Sequence, residues 1–305
     1  MVTGPALVIG ESLVDVVRGA GAETDYPGGS AANVAVALAR LGRPTWLATS
    51  FADDPYGTLL ADHLAANDVY LAGDPGAVER SSSAVATLDP GGAASYAFDL
   101  DWRLNPVALP AGVEPLVVHA CSIAAVLLPG CDDVLAEVTR LRDVAMVSYD
   151  VNLRPSISGT GPEVVDRIER LVALSDVVKA SDEDLEGLRP GESLGDAAAG
   201  LLAMGPAAVV VTRGGDGVSL FTAAGRLDLP ALRVEVADTI GAGDTFGAAT
   251  LHALGERDLL GAGARSRLRA LDDAGWRDVL GYAARAAAVT VSRPGADPPY
   301  ARELV

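Results

Sequence analysis

Residues 238–249 read DTIGAGDTFGAA, which sets three small residues and a carboxylate where an apolar run gives way to an alanine-rich, helix-like segment. Two kinds of chemistry meet in such a turn. Gly241, Ala242 and Gly243 carry almost no side chain, so their N–H groups can be approached by phosphate oxygens, with a helix dipole behind them. Asp244 could take the proton of an attacking hydroxyl, a role worth about 10²–10⁴-fold in rate. Aspartate also caps helices and glycine makes turns, so a plain capped turn fits the same letters. Phe246 stands where G-x-G-x-x-G needs its last glycine, so a dinucleotide fingerprint fits poorly.

A second stretch, GGSAANVAVALARLG at 28–42, starts a helical pattern on two glycines, Gly28 and Gly29. Asn33 is a mediocre helix former there, but its amide can both donate to and accept from a sugar hydroxyl. Asp15 interrupts the apolar strand of GESLVDVV, Arg154 ends SYDVNLRP, and Asp184 lies in VVKASDEDLEGL, where it also suits a helix cap. TRGGDG brings Thr212, Gly214 and Gly217 to a turn after a strand. His63, His119 and His252 have no ligand spacing and read as structural.

These residues need a frame to hold them. Apolar, β-branched runs at 6–10, 44–50, 116–122, 144–152, 176–181 and 207–217 alternate with helical patterns at 31–42, 56–68, 131–142, 161–175, 193–205 and 243–255. Helices return over 256–292. That alternation predicts an α/β fold with a parallel sheet flanked by helices. Residues 11–26 and 80–101 instead alternate as short strands, the second with DPGG as a hairpin turn. They predict a small β-sheet lid inserted in one domain spanning 1–305.

Bulk composition narrows the function further. The 305 residues are 50% hydrophobic, enough for one large core. A formal net charge of −18, spread along the chain, argues against nucleic acid as a partner. Lys179 is the only lysine, and no GxxxxGK[ST] loop surrounds it. No membrane span or signal peptide is expected. With only two cysteines, Cys121 and Cys131, a reducing cytoplasm is the expected compartment.

Taken together, DTIGAGDTFGAA resembles the C-terminal signature of the ribokinase-like (PfkB) carbohydrate kinases, and GGSAANVAVALARLG resembles their N-terminal one. VVVTRGGDGVSLF and SRPGADPP are similar to the family's nucleotide-side turn and C-terminal close, so the likeness runs nearly end to end. It implies a ribokinase-like three-layer fold with a β lid and an ATP-dependent sugar kinase, using Mg²⁺ and, in some members, K⁺. Asp244 would be the base, and Gly241, Ala242 and Gly243 the anion hole. Asp15, Gly28, Gly29, Asn33 and Arg154 would bind the sugar. Lys179, Thr212, Gly214 and Gly217 would serve the nucleotide. The family's N-x-x-E segment reads Ser181 and Asp184 here, so Asp184 is the candidate to order Mg²⁺-bound water. Asp238, with carbonyls near 289–295, is the candidate monovalent-cation site.

Within the family, GES…VDVV, DVNLRP and VVKASDEDL look most like fructokinases. The 2-keto-3-deoxygluconate kinases carry a Tyr-x-Arg in the lid to hold the substrate carboxylate. Here Tyr96 is followed by Ala97 and Phe98, with Arg103 nearby, which favours a neutral hexose such as fructose. Ribokinase and nucleoside kinase activities stand as alternatives, and beyond them a non-catalytic sugar-binding protein. A nicotinamide-dependent oxidoreductase is disfavoured by the spacing around Phe246. Exposed lid strands invite edge pairing, so a homodimer is expected.

Overall fold

The apolar runs form strands because both faces of each can be buried at once. In the run Ala6–Ile9, Ala6 and Val8 enter one core while Leu7 and Ile9 enter the other, all four with no exposed surface. Ala208 and Val210 likewise separate from Val209 and Val211. Burying each valine, leucine or isoleucine in this way stabilises the fold by about 1.5–3 kcal/mol before entropy is counted.

The computed structural model describes residues 4–19, 22–88 and 94–304. Its strands are β1 (Ala6–Ile9), β2 (Leu13–Gly19), β3 (Ala22–Gly28), β4 (Thr45–Ala48), β5 (Val69–Leu71), β6 (Ser83–Leu88), β7 (Ala94–Asp99), β8 (Val117–Cys121), β9 (Met146–Asp150), β10 (Val177–Ser181), β11 (Ala208–Thr212), β12 (Val218–Thr222) and β13 (Gly225–Leu229). The α-helices are α1 (Ser30–Arg40), α2 (Pro55–Ala66), α3 (Gly130–Leu141), α4 (Pro155–Ser158), α5 (Pro162–Leu174), α6 (Asp182–Leu188), α7 (Leu194–Leu202), α8 (Ala242–Gly255), α9 (Arg265–Arg269) and α10 (Asp273–Val291).

A nine-stranded sheet has the order β13-β12-β11-β10-β9-β8-β1-β4-β5. Helices α1, α8 and α10 pack on one face, and α3, α5 and α7 on the other. Seven strands run parallel, as the alternation predicts. The edge pair β12 and β13 is antiparallel. Its cause is local: only a tight turn, with Gly217 at φ 94°, joins β11 to β12, and no crossover helix intervenes. β5 and this hairpin are too short or too polar to be read as separate strands from pattern alone.

The second sheet has the order β3-β2-β6-β7 and sits over the carboxyl end of β1. It is mixed, since β2 pairs parallel with β6 while the other neighbours are antiparallel. The DPGG turn expected at 89–92 lies outside the described residues. Among the described residues, no helix is long and apolar enough to cross a membrane.

In the large sheet the chain leaves β1 for β4 and β5 on one side, then returns to β8 and builds outward on the other. Ligand clefts in open α/β sheets form at such a reversal, beyond the carboxyl ends of the strands. Glu11 follows β1, Ser122 follows β8, Asn152 follows β9 and Gly214 follows β11, so four strand ends feed the same side.

Candidate active site

The turn before α8 is shaped by glycine and pinned by the C-terminal segment. Gly241 adopts φ 72°, and a Cβ there would come within 2.7 Å of the Ala296 Cβ. Asp238 braces the same turn, its two oxygens accepting from the N–H groups of Ile240 (3.0 Å) and Gly295 (2.9 Å). The carbonyl of Val291 already accepts from the N–H groups of Ala237 and Asp238. Asp238 thus holds the loop through one accepted N–H on each oxygen.

Asp244 occupies the first turn of α8 and is 8% exposed. One carboxylate oxygen accepts from the Ser30 hydroxyl at 2.7 Å and the other from the Asn33 amide at 2.9 Å. Both partners come from the start of α1, so the two glycine-led motifs, far apart in sequence, meet at this carboxylate. Ser30 Oγ also accepts from the Asn152 amide at 2.9 Å. Of the three candidate anion-hole amides, Ala242 donates to the Thr239 carbonyl in a long bond of 3.3 Å, while among the described residues those of Gly241 and Gly243 have no partner. The expected three-amide hole is therefore two free donors and one engaged in closing the turn.

Two clefts adjoin here. One, of about 480 Å³, is lined by Asp15, Gly29, Asn33, Arg154, Gly241 and Asp244 among others. The other, of about 320 Å³, is lined by Thr212, Gly214 and Gly217, by the 231–236 loop and by α10. Thr239 and Gly243 belong to both, so the turn before α8 is the partition between them. The second cleft has an apolar wall of Leu232, Val234, Ala284, Ala287 and Val291. Sequence reasoning missed this wall, because residues 231–240 have no periodicity and α10 carries its small residues on a face that only packing reveals.

Gly28 and Gly29 shape the first cleft without contributing side chains. A Cβ on Gly28 would lie 2.4 Å from an Asp15 oxygen, and Gly29 takes φ 99° with the Glu11 carbonyl 2.6 Å from where its Cβ would be. Burial lifts the Asp15 carboxyl to about 6. Arg154 is exposed at the cleft wall and spends one N–H on the Leu153 carbonyl (3.1 Å). Arg103 instead pairs with Asp101 at 3.3 Å and lines neither cleft. Of the lid comparison, Phe98 reaches the first cleft, and the side chain of Tyr96 lies outside the described part.

Lys179 and Asp184 stand back from both clefts. Lys179 is buried and lines neither cleft; its ammonium lies 2.7 Å from Asp150 and would be 3.3 Å from a Cβ on Gly243. Burial opposes its charge, but Asp150, Asp184 and Asp244 outweigh that and hold its pKa above the usual lysine value. Asp184 accepts from the N–H groups of Leu153 and Ser181, both at 2.7 Å, completing a capping box at α6. Each of its oxygens accepts one backbone N–H, so it positions the Asn152–Arg154 loop. Among the described residues no group of three or more His, Cys, Asp or Glu could hold a metal ion. None of the histidines lines either cleft; His119 is buried, and burial with the nearby Lys179 lowers it to about 3.

Ser30, Asn152 and Glu11 were not singled out from sequence. The first two are ordinary polar letters beside motifs, and only the meeting of α1, β9 and α8 makes them a network around Asp244.

The profile of the pfkB family carbohydrate kinases matches residues 7–302. The chain is 34% identical over 265 residues to a fructokinase of Rhizobium leguminosarum bv. trifolii, covering 83% of this chain and 81% of that one. In three dimensions it is similar to the crystal structure of a fructokinase with bound ATP from Xylella fastidiosa, with a TM-score of 0.82, 26% identity, and coverage of 98% and 97%. It is also similar to aminoimidazole riboside kinase from Salmonella enterica complexed with aminoimidazole riboside and an ATP analog, with a TM-score of 0.79, 27% identity, and coverage of 99% and 98%. With a matching profile over nearly its whole length and the ribokinase-like fold, this chain belongs to the pfkB family of carbohydrate kinases and is an ATP-dependent sugar phosphotransferase.

Proposed function

We propose that the chain transfers the γ-phosphate of ATP to a hydroxymethyl group of a small neutral sugar, with fructose as its acceptor. The observation that carries this reading is Asp244 in the wall of one cleft, beside the partnerless amides of Gly241 and Gly243, with Gly243 shared by the neighbouring cleft. The adenine ring fits the apolar wall formed by the 231–236 loop and α10, and Thr212, Gly214 and Gly217 border the phosphates. The sugar takes the other cleft, with Asp15 and Asn33 as hydroxyl partners.

In this arrangement the acceptor hydroxyl attacks the γ-phosphorus in line. Its proton passes to Asp244 as the new O–P bond forms, the bond to the bridging oxygen breaks, and ADP leaves. The Gly241 and Gly243 amides and the α8 dipole receive the charge on the moving phosphoryl group, with Lys179 adding positive charge from behind. A Mg²⁺ ion borne by the nucleotide phosphates would neutralise part of their charge.

A panel of fructose, ribose, 2-keto-3-deoxygluconate and aminoimidazole riboside with Mg²⁺-ATP, read as ADP release, tests the reading. Fructose should give the highest kcat/KM. A riboside or ribose preferred over fructose overturns the acceptor, and no ADP from any of them overturns the reaction. One observation favours a second acceptor class: Arg154 is a cation at the sugar cleft that could meet a carboxylate, and a preference for 2-keto-3-deoxygluconate would select it.

Asp15→Asn should raise KM for the sugar roughly 5- to 150-fold, the cost of weakening a half-buried hydrogen-bond partner by about 1–3 kcal/mol. Because the Asp15 carboxyl titrates at about 6, wild-type KM should also rise as pH falls through that value, and the Asn variant should lack this rise. Initial-rate titrations of sugar at several pH values check both. The two open edges of the lid, β3 and β7, support a homodimer, which sedimentation can test.

A further inference from the structure

We propose that Glu11 is a positioning residue for this transfer: its ionised carboxylate anchors the first turn of α1 and so holds the Ser30 hydroxyl on Asp244, and its charge state sets the acid limb of turnover. The inference rests on the kinase reading given above.

Glu11 follows β1 at the chain reversal and is 4% exposed. Oε1 accepts the N–H of Ser30 at 3.1 Å, and the hydroxyl of the same Ser30 donates to Asp244 at 2.7 Å. Anything that moves Ser30 therefore disturbs the base directly. Oε2 is buried without a hydrogen-bond partner. A half-satisfied buried carboxyl is costly to keep, and glutamine would fill the same space and accept the same N–H without a charge. What glutamine lacks is the negative charge that strengthens the hydrogen bond from the Ser30 N–H and so fixes the first turn of α1. The acceptor proton still ends on Asp244, because Oε2 is shielded from the cleft and takes no part in the transfer.

The titratable groups facing Glu11 are few. Asp244 approaches from α8 and Cys121 from the end of β8, while Asp15 and Arg154 line the same cleft. Burial pushes the Cys121 thiol well above its usual value, so it stays neutral. Burial, with a smaller push from Asp244, raises Glu11 to about 7 against the pull of backbone N–H groups. The carboxyl is thus neutral below that pH and charged above it, and turnover should rise as pH increases through it.

The test compares full-length wild type with Glu11→Gln, using ADP release at saturating sugar and ATP across the neutral range. Wild-type kcat should fall on the acid side with a midpoint near 7. Glu11→Gln should lose that limb and run up to about tenfold slower on the alkaline side, the order expected when a charge-assisted hydrogen bond becomes a neutral one, with KM for sugar little changed. An infrared titration of wild type against the variant should show a buried carboxylic acid ionising at the same midpoint, a readout independent of turnover. Ser30→Ala, which keeps the Glu11 carboxyl but cuts its route to the base, should lower kcat and leave the infrared midpoint in place; this variant carries the test if Glu11→Gln does not fold. The proposal is overturned if Glu11→Gln keeps the wild-type acid limb, if the carboxyl ionises in the ordinary glutamate range, or if Ser30→Ala turns over like wild type. A wild type that phosphorylates no sugar would instead sink the kinase reading itself, and the positioning role with it.

Discussion

Asp244→Asn is expected to lower kcat by about 10²–10⁴-fold, the range for losing a positioned general base. The substitution removes proton affinity and little else. Asparagine keeps an oxygen to accept from Ser30, and its new amide group meets Asn33, whose own amide can turn to present its oxygen. A carboxylate in the first turn of a helix contributes about 0.3–1 kcal/mol through the helix dipole, so the thermal midpoint should move by only a few degrees. KM for sugar and for ATP should stay within a few-fold, since the clefts keep their walls. The coupled ADP assay, run beside thermal unfolding, separates the two effects. Turnover within tenfold of wild type would remove Asp244 from the role of base.

Lys179→Met should cost the protein about 3–5 kcal/mol of stability, the penalty for breaking a buried ion pair from one side. Asp150 is 1% exposed, one of its oxygens has no partner, and Asp184 and Asp244 add like charge nearby. Its carboxyl is already raised to about 6 by burial, against the opposing pull of Lys179. Without the ammonium it would rise further. A group whose folded pKa is raised stabilises most at low pH and loses that contribution as pH increases through the folded value. The deficit of Lys179→Met should therefore be smaller in acid than at neutral pH. Adding Asp150→Asn should recover much of it, because the stranded charge is then gone. Urea unfolding of the single and double variants at two pH values measures all three statements. An unfolding midpoint for Lys179→Met equal to wild type would mean that the pair is not the buried ion pair described. Turnover should fall as well, since the ammonium sits directly behind Gly243 at the partition between the clefts.

The glycine-led motifs were legible because their physics is local. A glycine turn at 241–243 and a carboxylate in the first turn of α8 follow from letters within a few residues of one another. The parallel core was legible for a similar reason, since continuous apolar runs such as Ala208–Thr212 can be buried only by covering both faces. Local reasoning did not show that each oxygen of Asp184 and Asp238 accepts a backbone N–H, because one donor to each residue comes from a distant segment.

What the amino-acid order determined by itself was the alternating α/β frame, the lid strands that interrupt it, and the small-residue turn carrying Asp244. Each depends on periodicity or backbone freedom within one segment. Only the tertiary structure decided which side chains surround that carboxylate and which charges are spent elsewhere. Ser30 and Asn33 reach Asp244, Asn152 and Glu11 reach Ser30, and Lys179 is drawn to Asp150, because separate strand ends converge at one reversal of the sheet. Hydrogen bonds and buried charges act over a few ångströms of space, and distance along the chain carries no record of them.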